Sequence, residues 1–231
     1  MNLDLISVLI FYGLLLIFYY TFKEKFTTQG LVVMYKTKLG LKQMDYFAKK
    51  FPRIITFLSY IGVIVGFLGM AFILYFLIKA TWQLIFIPGT EPALAPVLPG
   101  IQISGIPTLS FWHWIITIFI AAVIHEFSHG IVERLHNVSI KSSGFAFLGP
   151  LLAAFVEPEE KSLEKKQRVK QMAVFAAGPF SNILFGALIL VLMLAMTPVM
   201  NMVYDSNGIL VNGVLEGYPV NQSGLEAPFI I

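Results

Sequence analysis

Long apolar stretches alternate with short polar connections along this chain of 231 residues. Four of these stretches are candidates for membrane-spanning helices, and they cover residues 5–22, 54–78, 111–132 and 173–196. Each has the roughly 17–25 residues that a helix needs to cross about 30 Å of hydrocarbon. The pattern therefore predicts an all-α membrane protein with about four transmembrane helices.

The composition supports the same class. Hydrophobic residues make up 57% of the chain and charged residues 13%, whereas soluble domains have about 45–50% and 25%. The chain has no cysteine, so disulfides and thiolate metal sites are excluded. Any metal site must use nitrogen and oxygen ligands.

The distribution of Lys and Arg predicts the orientation in the membrane. Of the sixteen basic residues, eight lie in 23–53 and seven in 134–170, while Lys79 is the only other one. The positive-inside rule puts both basic connections in the cytoplasm. The N-terminus, the 79–110 loop and the tail after Met200 are then expected to be extracytoplasmic. The first stretch lacks the basic start of a signal peptide, so we expect it to remain as a spanning helix.

Two cytoplasmic segments are more than plain loops. Residues 145–156 form an apolar run that is too short to span the membrane and is broken by Gly149-Pro150. This pattern favours a re-entrant or β-hairpin segment against the third span; the alternative is an interfacial loop resting on lipid. Residues 159–171 mix both charge signs at helical spacing, which predicts a solvated interfacial helix.

The third span contains the sequence HExxH, with His125, Glu126 and His129. Residues four apart share one face of a helix, so both imidazoles can bind a single metal ion. Glu126 is offset by one residue, where it can accept a proton from water without ligating the metal. The alternative is a buried hydrogen-bonded network or proton relay. His129 and His125 lie near the cytoplasmic end of the span, at depths of about 5 and 10 Å.

The other two histidines are weaker candidates. His113 lies between two tryptophans at the outer end of the third span, which is typical of an aromatic belt. His136 lies just beyond the cytoplasmic end and follows His129 by seven residues. It can face the same side as the pair, but we expect an interfacial role.

In the fourth span, Gly178, Asn182 and Gly186 recur every four residues and share one face. Small residues at this spacing let helices pack closely, and a buried asparagine requires a partner. Packing explains this face by itself. The functional interpretation adds that the Asn182 amide contacts the substrate backbone or orients the metal site.

These motifs resemble the site-2 protease family of intramembrane zinc metalloproteases over residues 111–225. The resemblance rests on HEFSHG (His125–Gly130), AFVEPEE (Ala154–Glu160) and AGPFSN (Ala177–Asn182). Residues 207–225 also resemble the opening strand and turn of a PDZ domain. The resemblance implies a transmembrane metalloprotease core over 1–200 and the beginning of an extracytoplasmic PDZ-like domain over 201–231.

The resemblance also implies roles for individual residues. His125 and His129 would ligate Zn²⁺, Glu126 would activate water, and Asn182 would help to bind substrate. The segment after the motif would help to present an extended substrate strand. The family's third ligand is an aspartate followed by glycine on a later span, and this chain has no Asp-Gly pair. We therefore expect the N-terminal portion of a longer enzyme, either truncated or completed by a polypeptide that carries this aspartate.

The predicted function is a zinc-dependent endopeptidase that cuts transmembrane segments of membrane proteins near their cytoplasmic end. Its expected partners are those substrates and the lipid bilayer, with no nucleic acid. One alternative is a non-proteolytic membrane metal-binding protein or ion carrier that uses the same histidines. Another is an HExxH membrane protease of a different family, with its motif helix projecting into the cytoplasm.

Overall fold

The computed structural model describes residues 3–90, 92–94, 97–99, 109–148, 151–203, 210–211 and 229–230. These residues belong to two compact units, the first of which is drawn from residues 1–101 and 108–184. The motif helix and the residues that contact its HExxH motif lie in this first unit. The second unit takes in residues 185–231, including the end of the last helix.

The described residues are mostly helical, and the helices follow the apolar stretches. In chain order they are α1 (Leu3–Thr21), α2 (Leu41–Lys50), α3 (Pro52–Phe86), α4 (Phe111–Leu135), α5 (Glu160–Glu164) and α6 (Arg168–Val203), with one short 3-10 turn at Lys23–Lys25. Among the described residues, α3, α4 and α6 are long and apolar enough to cross a membrane. Helix α1 lies over the first predicted span, but its apolar part, Ile6–Thr21, is shorter. Three of the four predicted spans therefore meet the length criterion.

Helices α3 and α6 are longer than the predicted spans. They contain 35 and 36 residues, or more than 50 Å at about 1.5 Å per residue. The apolar pattern marks only the part that fits the hydrocarbon, because polar residues such as Lys79 and Arg168 continue a helix without difficulty. The chain is a membrane protein, and its lipid-facing surface is correspondingly apolar: Leu14, Leu68 and Leu190 are each 57–65% exposed.

A four-stranded antiparallel sheet lies beside the helices, with strand order β1-β2-β3-β4. The strands are β1 (Phe26–Gln29), β2 (Val32–Thr37), β3 (Ile140–Leu148) and β4 (Leu151–Pro158). The β3–β4 pair is the hairpin predicted after the motif helix, with Phe145 opposite Ala154. Its tip, Gly149-Pro150, lies outside the described residues.

The β1–β2 hairpin corrects the prediction of an all-α protein. It lies in the basic connection 23–53, where the strands are short and lysines interrupt the apolar alternation. Its partner is distant in sequence, since β2 pairs with β3 from Val32 opposite Leu148 to Thr37 opposite Ser143. Pairing of this kind depends on a tertiary partner rather than on local propensity. The protein is mostly helical with a small antiparallel sheet.

The β3–β4 hairpin runs along helix α4. The ring of Phe145 in β3 packs against Phe119 of α4, with ring centroids 6.0 Å apart. Phe119 precedes His125 by six residues, so the hairpin extends past the HExxH motif toward the start of α4. The hairpin therefore lies alongside the motif rather than beyond the end of the helix.

A small buried cluster joins α4 to the first part of α6. Val132 of α4 packs with Ala173, Val174 and Ala177 of α6, and these side chains are at most 6% exposed. The alanines at two of the four positions let the two helices approach closely. This contact sets the separation of the helices that carry the predicted site residues.

The segment between β4 and α6 differs from its prediction. Residues 159–171 were expected to form one interfacial helix, but α5 ends at Glu164 and α6 begins at Arg168. The Gln171 side chain donates hydrogen bonds to the carbonyls of Glu164 (3.1 Å) and Lys166 (2.8 Å). Carbonyls at a helix end lack intrahelical partners, so Gln171 stabilises the break.

The predicted PDZ-like segment is described only in part. Two-residue strands β5 (Leu210–Val211) and β6 (Phe229–Ile230) pair antiparallel. The rest of that prediction lies outside the described residues.

Strands β2, β3 and β4 are tied together by one carboxylate. Glu157 of β4 accepts hydrogen bonds on Oε2 from Lys36 Nζ of β2 (2.7 Å) and from Ser142 Oγ of β3 (2.5 Å). The hydrogen bond from Lys36, followed by that from Ser142, lowers the pKa of Glu157 from its ordinary value of 4.5. Both charged side chains are 29% exposed, so solvent screens the pair and its contribution is about 0.2–1 kcal/mol.

We predict that Lys36→Met lowers the thermal midpoint of the detergent-solubilised protein at pH 7. Because the folded pKa of Glu157 is below its unfolded value, the pair stabilises the fold above pH 4.5 and stops doing so as pH falls through the folded pKa. The difference from wild type should therefore shrink as the pH falls below 4.5 and through the folded pKa of Glu157. Lys38→Met, at an exposed neighbouring position, is the matched control. An equal effect of Lys36→Met at every pH would contradict the assignment.

Candidate active site

Helix α4 directs the residues of its HEFSHG motif toward three different neighbours. His125 and His129 face α6, while Glu126 faces strand β4. Phe127 and Gly130 face α2: the ring of Phe127 packs edge-on against Phe47 at 6.1 Å. A Cβ built on Gly130 would fall on Sδ of Met44, so the glycine lets α2 lie close. The motif helix is thus held on three sides.

His129 has a defined ring orientation. Its Nδ1 lies 2.6 Å from the main-chain carbonyl oxygen of Val174 in α6. A carbonyl can only accept, so Nδ1 carries the proton and donates it. Nε2 of the neutral ring is then left with a free lone pair. This is the usual arrangement of a metal-ligating histidine, in which the second nitrogen donates to a backbone carbonyl or carboxylate.

His125 is oriented by a side chain of α6, the helix that also carries Val174. Its Nδ1 lies 3.3 Å from Nδ2 of Asn182. The other amide atom of that side chain, Oδ1, is buried and has no hydrogen-bond partner among the described residues. The two imidazole rings lie 4.8 Å apart, centroid to centroid, with an angle of 72° between their planes.

Both Nε2 atoms face Gly178. A Cβ built on this glycine would overlap Nε2 of His125 and Nε2 of His129. The missing side chain therefore lets both imidazole rings lie against α6, with their Nε2 atoms next to the same glycine. A zinc ion bound by imidazole lies about 2.0–2.1 Å from the nitrogen. The residues present thus fit a zinc ion held through the two Nε2 atoms.

The described residues would supply two ligands of such a site, His125 and His129. No group of three His, Cys, Asp or Glu side chains close enough to hold a metal occurs within them. Asp45 forms an ion pair with Arg134, with 3.2 Å between Oδ1 and Nε, and does not join the histidines. The side chains of Asp4 and Asp205 are outside the described part. Catalytic zinc usually has three protein ligands, so the third is not among the side chains described.

Glu126 is positioned by the outer edge of the sheet. Its Oε2 accepts a hydrogen bond from the backbone N–H of Val156 in β4 at 3.0 Å. This N–H points away from β3, the only strand paired with β4 within the four-stranded sheet. The carboxylate is therefore held between the helix that carries the histidines and a strand edge that pairs with no other strand among the described residues.

The remaining histidines lie apart from the pair's contacts. His113 is exposed at the start of α4. His136 follows the end of α4, and its Nε2 is buried without a partner among the described residues. Burial lowers the pKa of His136, and the charges of Lys170 and Lys166 lower it further, so its ring is neutral at pH 7. The expected interfacial role of each stays a prediction.

Sequence analysis missed three features of the site. Two are main-chain groups, the Val174 carbonyl and the Val156 N–H, which leave no signal in side-chain patterns. The third is Glu133, one turn beyond His129. It is 2% exposed, and its Oε2 has no partner among the described residues. Glu133 follows directly after the predicted span 111–132 and lies within α4, and a carboxylate this close to the hydrocarbon is a signal that points to the residue.

Comparisons with known proteins agree with the geometry. Residues 113–223 match the family model of peptidase family M50, the site-2 protease family. This segment of the chain belongs to peptidase family M50. The matched range contains the HExxH motif, the β3–β4 hairpin and the AGPFSN sequence of α6.

Among curated proteins, the chain is similar to an uncharacterized protein of Methanocaldococcus jannaschii. The two are 34% identical over 197 residues, which cover 80% of this chain and 50% of the relative. The chain thus spans about half the length of that relative. No solved structure matches the chain significantly. The peptidases of family M50 are metalloproteases and are generally zinc-dependent.

We predict that Gly178→Ala lowers the zinc affinity of the protein at least tenfold. The added methyl group overlaps both Nε2 atoms, whereas alanine in a helix is otherwise favourable by up to about 1 kcal/mol. Zinc affinity is measured by competition with a chelator in detergent, and folding by the thermal midpoint. Gly186→Ala on the same helix meets nothing within 4 Å and should leave zinc affinity unchanged. Equal affinities in both variants would place the metal elsewhere.

Proposed function

We propose that this protein is a zinc-dependent intramembrane endopeptidase that hydrolyses peptide bonds in transmembrane segments of membrane proteins. The observation that carries the proposal is the convergence of both Nε2 atoms on the space beside Gly178, with Glu126 on the adjoining face of the same helix. That helix is long and apolar enough to cross a membrane. Membership of family M50 supports the same activity.

His125 and His129 would hold the zinc ion through Nε2. Bound there, zinc would supply Lewis-acid polarisation of the scissile carbonyl and of water. The third protein ligand is expected from outside the described side chains; the resemblance to site-2 proteases implies an aspartate. Val174 supports this role of His129, because its carbonyl keeps the proton on Nδ1.

Glu126 would act as the general base. Its carboxylate takes a proton from the attacking water and delivers a proton to the amine that leaves when the peptide bond breaks. The hydrogen bond from Val156 keeps the carboxylate on the side of α4 that faces β4. The Glu126 carboxylate and the main-chain N–H of Val156 thus lie together at the edge of the sheet.

The outer edge of β4 is a suitable position for the substrate backbone. Alternation along a strand turns the N–H and C=O groups of Leu152 and Ala154 to the same side as those of Val156. An extended segment can add to such an edge through main-chain hydrogen bonds, which do not depend on its sequence. A helical transmembrane substrate must unwind to bind in this way, and its scissile carbonyl would then pass Glu126.

The orientation in the membrane completes the proposal. Basic connections on the cytoplasmic side put the histidine pair in the cytoplasmic half of the bilayer, where water has a short path to it. The β3–β4 hairpin, running along α4 as far as Phe119, would then re-enter the membrane from the cytoplasm. Cleavage is expected near the cytoplasmic end of the substrate helix.

We predict that Glu126→Gln abolishes cleavage of a transmembrane substrate while the protein still binds zinc. Glutamine keeps the size of the side chain and removes the base. Loss of one general base typically costs about 10²–10⁴-fold in rate. Cleavage is followed with reconstituted protein in vesicles, and zinc content is measured on the same sample.

Ser128→Ala, on the same helix between the two histidines, is the matched control and should remain active. Cleavage by Glu126→Gln at the wild-type rate would exclude the mechanism. Zinc binding without cleavage by the wild-type protein would instead favour a metal-binding protein or carrier. Cleavage of soluble but not transmembrane substrates would favour an HExxH protease of another type.

We predict that single cysteines report the proposed orientation, since the chain has no cysteine of its own. Lys38→Cys and Ala93→Cys are both at exposed positions. A membrane-impermeant maleimide added to intact cells should label position 93 directly and position 38 only after permeabilisation. The reverse pattern would show that the proposed orientation is inverted.

A further inference from the structure

We infer that Asn182 is a positioning residue that holds His125 in its ligating orientation by accepting a hydrogen bond from Nδ1–H. The inference rests on the proposed function, in which Nε2 of His125 binds zinc. Of the two roles expected from the sequence for the Asn182 amide, it selects orientation of the metal site over contact with the substrate backbone.

Zinc binding through Nε2 requires one particular tautomer of His125. A neutral imidazole that binds a metal through Nε2 carries its proton on Nδ1, and that proton needs an acceptor. His129 has such an acceptor in the carbonyl of Val174. For His125 the group beside Nδ1 is the Asn182 amide, at 3.3 Å. The two histidines are therefore contacted at Nδ1 by two different groups of α6, a main-chain carbonyl and a side-chain amide.

The second argument is the amide itself. With Nδ2 toward the ring, Asn182 donates to an unprotonated Nδ1, and its buried Oδ1 has no partner within the described part of the chain. Turning the amide over exchanges the two atoms and brings Oδ1 to Nδ1, where it accepts the proton. A carboxamide can thus serve both tautomers of His125, donating without metal and accepting with metal.

The third argument is the position of Asn182 on α6. Val174, Gly178 and Asn182 are spaced by four residues and share one face. Val174 orients His129, and Asn182 contacts His125. Gly178, between them, has no side chain that would overlap the two Nε2 atoms. Glu126, in contrast, is contacted by β4, the strand proposed to receive substrate. Asn182 therefore lies on the face of α6 that supports the histidines, and not beside the strand proposed to receive substrate.

The test compares two substitutions of similar size. Asn182→Leu removes the acceptor, whereas Asn182→Asp keeps an oxygen that can only accept. Loss of such a supporting group typically lowers metal affinity about 10–100-fold. We expect this loss in Asn182→Leu and an affinity within about threefold of wild type in Asn182→Asp, a range set by the context dependence of such effects. Zinc affinity is measured by chelator competition on purified protein, together with kcat and KM for a transmembrane substrate.

Ser181→Ala is the matched control, because Ser181 bonds the Gly178 carbonyl at 2.7 Å and has no contact with either imidazole among its hydrogen bonds. Its zinc affinity should equal that of wild type. Asn182→Ala also removes the acceptor and replaces Asn182→Leu if the leucine variant does not fold. Thermal midpoints establish which variants are folded.

Two results would overturn the inference. Unchanged zinc affinity in all Asn182 variants, with KM raised in both Leu and Asp, would make Asn182 a substrate-binding residue. Equal loss of zinc affinity in Asp and Leu would show that an acceptor is not what His125 needs. If folded wild-type protein binds no zinc at all, the proposed function itself fails, and the inference fails with it.

Discussion

The close approach of helices α4 and α6 at Gly178 is the contact on which the site depends. Two imidazoles from α4 occupy the space that a side chain at position 178 would fill. The same face of α6 provides the Val174 carbonyl to one ring and the Asn182 amide to the other. In hydrocarbon a polar group without a partner is costly, because no water replaces it. The contact between α4 and α6 therefore provides both the close packing at Gly178 and the hydrogen-bond partners of the two imidazoles.

The other faces of α4 explain why the motif has defined residues in addition to the two histidines. Gly130 admits Met44 of α2, and Phe127 packs on the same helix. Glu126 turns to β4, where a main-chain N–H holds its carboxylate. Each neighbour restricts the rotation of α4 about its axis. A rotation that moved Glu126 away from β4 would also move the histidines away from Gly178.

Much of this arrangement could be predicted from local pattern. The four-residue spacing of His125 and His129 predicts a shared face, and the apolar lengths predict α3, α4 and α6. The apolar run broken by Gly149-Pro150 predicts the hairpin that became β3 and β4. Repetition of small and polar residues along α6 indicates the face that meets α4. These signals are local, since helix and strand periods are set by neighbours in sequence.

The parts that were missed depend on distant partners or on the main chain. Strand β2 pairs with β3 across about a hundred residues, as the Thr37–Ser143 hydrogen bond illustrates with a separation of 106. The Val174 carbonyl and the Val156 N–H exist at any residue type, so the sequence does not mark them. For Gly178 the sequence predicted a role in helix packing. Only the structure shows that a side chain at this position would overlap both imidazoles.

X-ray absorption at the zinc edge of the purified protein tests the central claim most directly. The account predicts a zinc ion coordinated by two imidazole nitrogens at about 2.0–2.1 Å, with the remaining shell made of nitrogen or oxygen. Substitution of either His125 or His129 by alanine should remove one imidazole from that shell. Bound zinc whose shell lacks imidazole, or keeps two imidazoles in these variants, would contradict the account.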